Sequence, residues 1–252
     1  MSATDAAAVP IPDEVTVCIT SCGRLDLLER TLASFRRYHT GGKFLISEDS
    51  ADQAVVEQVR AAYPWANILS STGRTGIMKS IDRLYEAVQT PFILHLEDDW
   101  EFDGPIDFAG ALGLLRTNMD IANVCVRAIE EIRPKYRKRS NVLTRDGAQF
   151  LVMWPDAHPE FFAWSPNPGF ISIDMYRRYA PFSRVMPDQM SGLMKKDGLT
   201  QAFLLPGVAR HIGHGRNVVD PTMPARPKSR PAKWLRAIKK KLYYWGLRKE
   251  PF

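Results

Sequence analysis

The 252-residue chain contains no run of about 18 apolar residues, so no membrane-spanning helix is expected from the sequence. Its first five residues have neither the basic nor the apolar stretch of a secretion signal. It has only three cysteines, an odd number without zinc-type spacing, which argues against a disulfide framework and a structural zinc site. We therefore expect a soluble, cytoplasmic chain with reduced cysteines.

The composition and the charge distribution point to a globular body with a separate tail. Hydrophobic residues make up 45% of the sequence and charged residues 25%, which excludes a disordered chain. Residues 226–252 hold ten lysines and arginines and one acid, whereas the rest of the chain holds 24 basic and 27 acidic residues. A basic tail on a mildly acidic body predicts an anionic partner for the tail alone.

The first 100 residues alternate short apolar runs with amphipathic segments, a pattern typical of helices packed on a mostly parallel sheet. Strands are predicted at residues 15–20, 44–46, 68–69 and 91–96. Helical apolar spacing follows the first three strands, at Leu25, Leu28, Leu32 and Phe35, at Val55, Val59 and Ala62, and at Ile77, Ile81, Leu84, Tyr85 and Val88. We therefore predict an α/β fold with a doubly wound, Rossmann-like sheet.

The second half has a less regular pattern. The expected elements are a helix at 106–115, a strand at 121–126, a basic polar loop or hairpin at 133–145, a helix at 188–196 and a strand at 199–205. Gly198 is expected to end the fourth of these in the left-handed conformation. A proline-rich linker follows at 221–231. These boundaries divide the chain into residues 13–103, 104–220 and 221–252.

Three consecutive acids, Glu97-Asp98-Asp99, follow the strand predicted at 91–96. In open α/β sheets, ligands bind at the carboxyl ends of the strands. Three adjacent carboxylates repel one another unless a cation or hydrogen-bond donors offset their charge. Oxygen ligands of this kind suit Mg²⁺ or Mn²⁺, so we predict a divalent metal site here. A solvated acidic loop is the alternative interpretation.

Several motifs occur along the first half of the chain. In order, they are Val17-Cys18-Ile19-Thr20-Ser21-Cys22-Gly23-Arg24 with Leu28, Leu32 and Ser34, then Glu48-Asp49-Ser50, Gly73-Arg74-Thr75-Gly76 and Glu97-Asp98-Asp99. Their order resembles the glycosyltransferase A-type fold, and especially the inverting family 2 enzymes. The resemblance covers residues 13–103, with looser matches at 167–170 and 211–213. The acidic triplet is similar to the Glu-Asp-Asp form of the Asp-x-Asp motif of N-acetylglucosaminyltransferases with this fold.

The resemblance implies a donor site for a nucleotide-diphosphate sugar. Thr20, Ser21 and Arg24 would line a uridine pocket, and Glu48 or Asp49 would hydrogen-bond the base or the ribose. Arg74 would lie near the diphosphate, whose oxygens match the guanidinium fork. The remaining assignments are Glu97 and Asp98 to the nucleotide sugar and Asp99 to the metal. Strand, helix-start and turn roles are the structural alternatives for these residues.

The segment Arg210-His211-Ile212-Gly213-His214-Gly215-Arg216 adds two histidines among glycines. Glycine permits close backbone approach, and imidazole suits Mn²⁺ better than Mg²⁺. Several enzymes of the resembled fold use a late histidine as a metal ligand, and His211 matches that position better than His214. A structural histidine pair is the alternative. The flanking arginines, Arg210 and Arg216, are compatible with diphosphate contacts.

An inverting transfer also needs a general base for the acceptor hydroxyl. The resemblance implies Asp188, because the base of the related enzymes precedes a helix in the acceptor-binding second half. A helix N-cap explains Asp188 equally well. Other carboxylates remain open as rivals: Asp156, Glu160 and Asp174. Aromatic residues that either stack on a sugar or belong to the core are Trp154, Trp164 and Phe170.

The tail from Lys233 has the spacing of a basic amphipathic helix. Trp234, Leu235, Ile238, Leu242 and Trp245 fall in a narrow helical arc, with cations on the other sides. We predict that residues 233–249 contact an anionic membrane surface on the cytoplasmic face. Docking on the body, on a partner or on nucleic acid are the alternatives.

Taken together, these features predict a metal-dependent glycosyltransferase of the hexosyltransferase type that acts with inversion. The expected donor is a UDP-sugar, and the expected acceptor is a saccharide, including a lipid-linked or cell-envelope glycan. A nucleotidyltransferase is an alternative, but residues 20–24 lack the usual Gly-rich loop with a lysine. The other alternative is a catalytically inactive carbohydrate- or membrane-binding module of the same fold.

Overall fold

The computed structural model describes residues 8–222, 229–244 and 246–248, and it divides the chain into two units, Met1–Asp220 and Pro221–Phe252. The strands are β1 (Val9–Pro10), β2 (Val15–Ser21), β3 (His39–Thr40), β4 (Lys43–Glu48), β5 (Asn67–Ser70), β6 (Phe92–Glu97), β7 (Trp100–Phe102), β8 (Ile121–Cys125), β9 (Ser140–Arg145), β10 (Ala148–Met153), β11 (Gly169–Ser172), β12 (Thr200–Leu205) and β13 (Ala209–His211). The helices are α1 (Leu25–Tyr38), α2 (Gln53–Ala62), α3 (Ile77–Glu86), α4 (Phe108–Thr117), α5 (Pro134–Arg137), α6 (Ile173–Tyr179), α7 (Pro187–Lys196) and α8 (Arg230–Tyr244), with 3₁₀ turns at Ile129–Glu131 and Phe182–Arg184.

A nine-stranded sheet with the order β5-β4-β2-β6-β11-β8-β12-β10-β9 forms the centre of the first unit. Strands β5, β4, β2 and β6 are parallel, and β11 is antiparallel to both β6 and β8. Because β12 is parallel to β8, the strands β2, β4, β6, β8 and β12 all end at one edge. The chain leaves β2 toward β4 on one side and returns to β6 on the other, which makes this edge a topological switch point.

Alternating side chains of the central strands enter two cores, one on each face of the sheet. Val17 and Ile19 of β2 pack with residues of α1, α2 and α4, whereas Cys18 between them packs with residues of α3, α6 and α7. All seven residues of β2 are buried. A strand covered by helices on both faces needs a continuous apolar run, which is why the β-branched segment at 15–20 was recognisable from sequence.

The predicted α/β fold is confirmed, and so is the left-handed end of α7, where Gly198 has φ +81°. One helix face was predicted wrongly, because α2 buries Val56 and Val59 while Ala62 is exposed. Of the two alternatives for 133–145, the hairpin is confirmed: β9 pairs with β10 as an antiparallel hairpin, and the short helix α5 precedes it. Sequence inspection missed β10, β11 and α6. No helix within the described ranges is long and apolar enough to cross a bilayer.

Two buried histidines are held in the neutral form. In His39, Nδ1 lies 2.8 Å from the carbonyl oxygen of Phe35 and Nε2 accepts the backbone N–H of Ile106 at 2.9 Å. Burial lowers the pKa of His39 to about 4 and that of His95 to about 3. Neither ring nitrogen of His95 has a hydrogen-bond partner among the described residues. In the unfolded chain these two histidines therefore bind protons as the pH falls through about 6.5, whereas in the folded chain they stay neutral.

We expect stability to fall as pH drops below 6.5, by about 2 kcal/mol for each of these histidines at pH 5. In His95→Leu, which removes one such group at similar volume, the loss between pH 7.5 and pH 5 should be about 2 kcal/mol smaller than in the wild type. Stability at pH 7.5 should change by less than about 1 kcal/mol, because an unpaired polar ring is replaced by an apolar side chain. Urea unfolding at both pH values measures this, and an unchanged pH dependence would contradict the assignment of His95.

Candidate functional site

The ends of three parallel strands bring the predicted donor-site residues together. The backbone N–H of Asp49, after β4, donates to the carbonyl of Ser21 at 2.9 Å, and that of Asp98, after β6, donates to the carbonyl of Thr20 at 3.0 Å. The β2 residues Thr20 and Ser21 are buried between the two neighbouring strands. The carboxyl edge of the sheet thus carries the polar residues that the sequence predicted for it.

Arg24 lies across the acidic triplet. Its guanidinium forms an ion pair with Asp98, through Nη2 to Oδ1 and through Nε to Oδ2 at 3.3 Å, and Nη1 contacts Asp99 Oδ2 at 2.7 Å. The Arg24 side chain is 17% exposed and that of Asp98 only 1%. The Cys22 backbone N–H also lies 3.4 Å from Asp98 Oδ2. The guanidinium supplies the counter-charge that this buried carboxylate would otherwise lack.

The acids also differ in their protonation. Burial raises the pKa of Glu97 to about 8, with a further contribution from Asp99, although Trp100 Nε1 donates to its carboxyl at 3.1 Å. At pH 7 the Glu97 carboxyl therefore carries a proton. Burial raises the pKa of Asp98 to about 6, against the lowering effect of Arg24. One proton and one guanidinium thus offset the repulsion within the triplet.

His211 meets the triplet through the small antiparallel pair of β7 and β13. His211 pairs with Trp100 in this ladder, and their rings form an edge-to-face contact with centroids 5.3 Å apart. Its Nε2 lies 3.4 Å from Asp99 Oδ2. The backbone N–H of His211 donates to Glu131 at 2.8 Å, and that of Ile212 donates to the Asp99 carbonyl at 2.8 Å. The backbone therefore fixes the imidazole beside the carboxylate.

Gly213 is pressed against the same carboxylate. A Cβ atom at this position would lie 2.8 Å from the Asp99 Cβ and within contact distance of its Oδ2. A real Cβ cannot approach so closely, so any other residue would displace Asp99 or the 212–216 segment. The glycine permits the close approach of these two segments.

Asp99 and His211 are two converging donors that suit a divalent cation. Within the described part of the chain, no group of three or more His, Cys, Asp or Glu residues could hold a metal ion by itself. Cations such as Mg²⁺ commonly take one or two protein carboxylates and fill the other positions with phosphate oxygens and water. The donor set therefore fits a metal that is bound together with a phosphate-bearing ligand.

Glu48 and Asp49 hold the loops at this edge. Glu48 Oε1 accepts the backbone N–H groups of Gly23 and Ser50, both at 2.9 Å, while Oε2 is buried with no hydrogen-bond partner among the described residues. The Asp49 carboxylate accepts the N–H of Thr75 at 2.9 Å, its hydroxyl at 2.6 Å and the N–H of Gly76 at 2.8 Å. Asp49 is thereby used internally, whereas Glu48 keeps one free acceptor.

The segment after β13 is attached to the starts of α1 and α3. Arg216 pairs with Asp26, with nitrogen–oxygen distances of 2.5 and 2.8 Å, and its carbonyl accepts from Arg24 at 3.2 Å. Arg74 donates to the carbonyl of Val219 at 2.6 Å. Asp220 accepts the backbone N–H of Ile77 at 2.9 Å. Residues 212–220 thus run past the predicted donor pocket. The motif at 210–216 indicated the first part of this neighbourhood, and no motif indicated residues 217–220.

One predicted arginine and one that was not predicted have partners near the site. Arg210 pairs with Asp103 at 2.5 Å, on the exposed side of β13. Sequence inspection missed Arg83, which donates to the Ser47 hydroxyl at 2.9 Å and to the Thr75 hydroxyl at 3.0 Å. It lies on α3 at a position that helical periodicity alone marks as surface, so only the tertiary structure reveals its role in holding the 71–76 loop.

Asp188 lies in the first turn of α7 and is not its N-cap, since that position belongs to Met186. The N-cap alternative for Asp188 is therefore wrong. Among the rival candidates for the general base, Asp156 pairs with Arg139. Asp174 is exposed at the amino edge of β6, opposite the candidate site, because Ser172 close before it pairs with Phe92 at the start of β6.

The three aromatic candidates for sugar stacking differ in their exposure to solvent. Trp164 and Phe170 are buried in the core and have no face for a sugar, whereas Trp154 is 39% exposed. Trp154 Nε1 donates to Asn141 at 3.1 Å. Of the three, only Trp154 remains a candidate for stacking.

Solved structures similar to this chain are glycosyltransferases. GalNAc-T7 with UDP, GalNAc and Mn²⁺ aligns with a TM-score of 0.58 at 11% identity, over 92% of this chain and 49% of that one. The mannosyltransferase PcManGT of Pyrobaculum calidifontis, in complex with GDP-Man and Mn²⁺, gives 0.54 at 13% identity over 84% and 61%. Residues 1–349 of TarS from S. aureus give 0.51 at 10% identity over 75% and 57%. No protein-family model and no curated protein matches the chain.

The chain therefore has the glycosyltransferase A-type fold, as the sequence motifs implied. It spans about half to three-fifths of the length of these structures. The likeness to family 2 and the roles of the individual site residues stay predictions.

We expect Arg24→Ala to destabilise the fold by about 2–4 kcal/mol at pH 8, because it leaves Asp98 buried and charged without a partner. The loss should shrink at pH 5.5, since removing Arg24 raises the pKa of Asp98 further and a protonated carboxyl needs no counter-charge. Urea unfolding at the two pH values measures both effects. Arg30→Ala, which breaks only an exposed pair with Glu101, is the control and should change stability by less than about 0.5 kcal/mol. Equal losses for both variants would refute the buried ion pair.

Proposed function

We propose that the protein is a metal-dependent glycosyltransferase that uses a nucleotide-diphosphate sugar. The observation that carries this proposal is the convergence of Arg24, Asp98, Asp99 and His211 at the carboxyl edge of a glycosyltransferase A-type sheet. Two of the similar structures hold Mn²⁺ with UDP or GDP-Man, which supports the same ligand class. We assign UDP as the first nucleotide to test, following the residues that resemble a uridine pocket.

Asp99 and His211 would hold the divalent cation, with Mn²⁺ favoured over Mg²⁺ by the imidazole. The metal, when bound, stabilises the negative charge that develops on the departing diphosphate. Arg24 and Arg74 are the cationic side chains nearest to this chemistry in the proposal. If Asp99 holds the metal, the Arg24 Nη1 group that now contacts Asp99 would be available to a diphosphate oxygen.

For the nucleoside, Thr20, Ser21 and Glu48 are the proposed contacts. Glu48 is preferred over Asp49, because Glu48 Oε2 is buried without a partner among the described residues while the Asp49 carboxylate accepts three hydrogen-bond donors. A base N–H or a ribose hydroxyl would satisfy that oxygen, and an unsatisfied buried acceptor is otherwise costly.

The reaction is proposed to be a hexosyl transfer with inversion, with Asp188 as general base. The helix α7 is joined to the amino end of β12 by residues 197–199. A helix that packs antiparallel to the following strand begins near that strand's carboxyl end, which supports this assignment. The acceptor is proposed to be a hydroxyl of a saccharide, including one carried on a lipid. The exposed Trp154 supports a role in sugar contact, on the hairpin side of the sheet.

Isothermal titration with UDP, with and without Mn²⁺, tests the donor site. We expect binding that needs the metal in the wild type and falls at least about tenfold in Asp99→Asn, because a neutral amide is a poor ligand for a hard cation. Asp174→Asn, at the opposite edge of the sheet, is the matched control and should bind like the wild type. Metal-independent binding, or equal binding by Asp99→Asn, would overturn the metal assignment. If UDP does not bind, GDP and CDP are tested next. Failure of all three nucleotides to bind would favour the catalytically inactive module of the same fold.

Gly213→Ala tests the packing around Asp99 without removing a donor. The new methyl group must displace the Asp99 carboxylate, so metal-dependent UDP affinity should fall at least about fivefold while the circular dichroism spectrum is unchanged. Gly113→Ala in α4, where a Cβ meets nothing closer than 4.0 Å, should leave UDP affinity unchanged. Equal affinity of Gly213→Ala and the wild type would show that this contact is unimportant.

A further inference from the structure

We propose that α8 docks on an anionic membrane surface and lies in the plane of the interface. The inference concerns residues 229–248 as a separate element and does not depend on the transferase proposal, although a membrane-bound enzyme would reach a lipid-linked acceptor. It starts from the observation that this unit contains a helix, Arg230–Tyr244, in which two large apolar side chains, Trp234 and Leu235, are exposed to solvent.

The apolar residues of α8 share one side of the helix. At 100° per residue, Trp234, Ile238, Leu242 and Leu235 fall within an arc of about 100°. Trp234 is 69% exposed and Leu235 50% exposed. Ile238 and Leu242, on the same side of the helix, are partly buried. Two large exposed apolar side chains that continue such an arc form a surface that another apolar phase can cover.

The cations of α8 lie on the other sides of the helix. The six are Arg230, Lys233, Arg236, Lys239, Lys240 and Lys241, and residues 221–249 contain no acidic side chain. The body that precedes them carries a small excess of acids, so its own charge does not attract polyanions. An apolar arc beside a dense positive charge complements an interface where acyl chains lie under anionic headgroups.

The mode of binding follows from length and composition. At 1.5 Å per residue the 15-residue helix is about 22 Å long, shorter than the roughly 30 Å hydrocarbon core of a bilayer. Among the described residues no helix qualifies as a membrane span. The helix therefore fits a position parallel to the surface, with Trp234 at the headgroup level.

Nucleic acid is the less favoured partner, because phosphate binding uses the charges and leaves the apolar arc exposed. Duplex binding depends on salt and on the number of cations, and it gains nothing from the apolar side chains of Trp234 and Leu235. A bilayer uses both faces at once. The two cases are separable by changing the apolar and the basic residues independently.

Sedimentation of the full-length protein with sucrose-loaded vesicles tests the proposal. We expect binding to phosphatidylcholine vesicles containing a quarter phosphatidylserine, and at least about tenfold weaker binding to phosphatidylcholine alone. Lys239→Gln with Lys240→Gln should weaken binding about 25-fold, or about fivefold for each charge. Trp234→Ser with Leu235→Ser should weaken it at least tenfold at constant charge.

Matched controls on the body are Lys135→Gln with Lys138→Gln, and Val142→Ser at an exposed apolar position, which should bind vesicles like the wild type. Asp99→Asn should also bind normally, so failure of the donor site and failure of membrane docking give different results. Vesicle binding that survives both α8 double variants would overturn the proposal. Sensitivity to the lysine changes alone, with equal affinity for duplex DNA, would also overturn it in favour of a polyanion site.

Discussion

The ion pair between Arg24 and the buried carboxylate of Asp98 is the constraint around which the site is organised. Three acids at the end of β6 cannot share a low-dielectric edge unless charge is removed or matched, and here Glu97 keeps a proton while Arg24 matches Asp98. The turn between β2 and α1 must therefore position the Arg24 guanidinium beside Asp98. Gly23, with φ +70°, adopts the left-handed conformation in that turn, and its N–H is fixed by Glu48.

This arrangement has a consequence for ligand binding. With Asp99 and His211 as the protein donors, a bound metal would depend on ligand oxygens to complete its shell, so metal and diphosphate would each raise the affinity for the other. Without a ligand, Arg24 neutralises Asp99 beside His211, and a bound metal would replace that ion pair. The backbone contacts that fix Asp99 and His211 would not have to change.

The two units of the chain differ in where their apolar side chains lie. Residues up to Asp220 form a sheet covered on both faces by helices, whose stability comes from buried apolar surface. The helix α8 leaves Trp234 and Leu235 exposed and carries six cations around its apolar arc. A proposed donor site on the first and a proposed interfacial contact on the second would together place a soluble sugar nucleotide and a lipid-linked acceptor on one chain.

The sequence alone determined the strands and helices of the first half, because apolar runs and helical spacing are local patterns that burial on both sheet faces enforces. It also determined which polar residues follow those strands, since parallel strands share one carboxyl edge. Only the tertiary structure decided that Arg24 pairs with Asp98, that Gly213 touches Asp99, and that Asp49 serves the 75–76 turn instead of standing free. These contacts join residues 26 to more than 100 positions apart, and the weakly patterned strands β10 and β11 form for the same reason: their partners are fixed by the whole sheet and not by their own sequence.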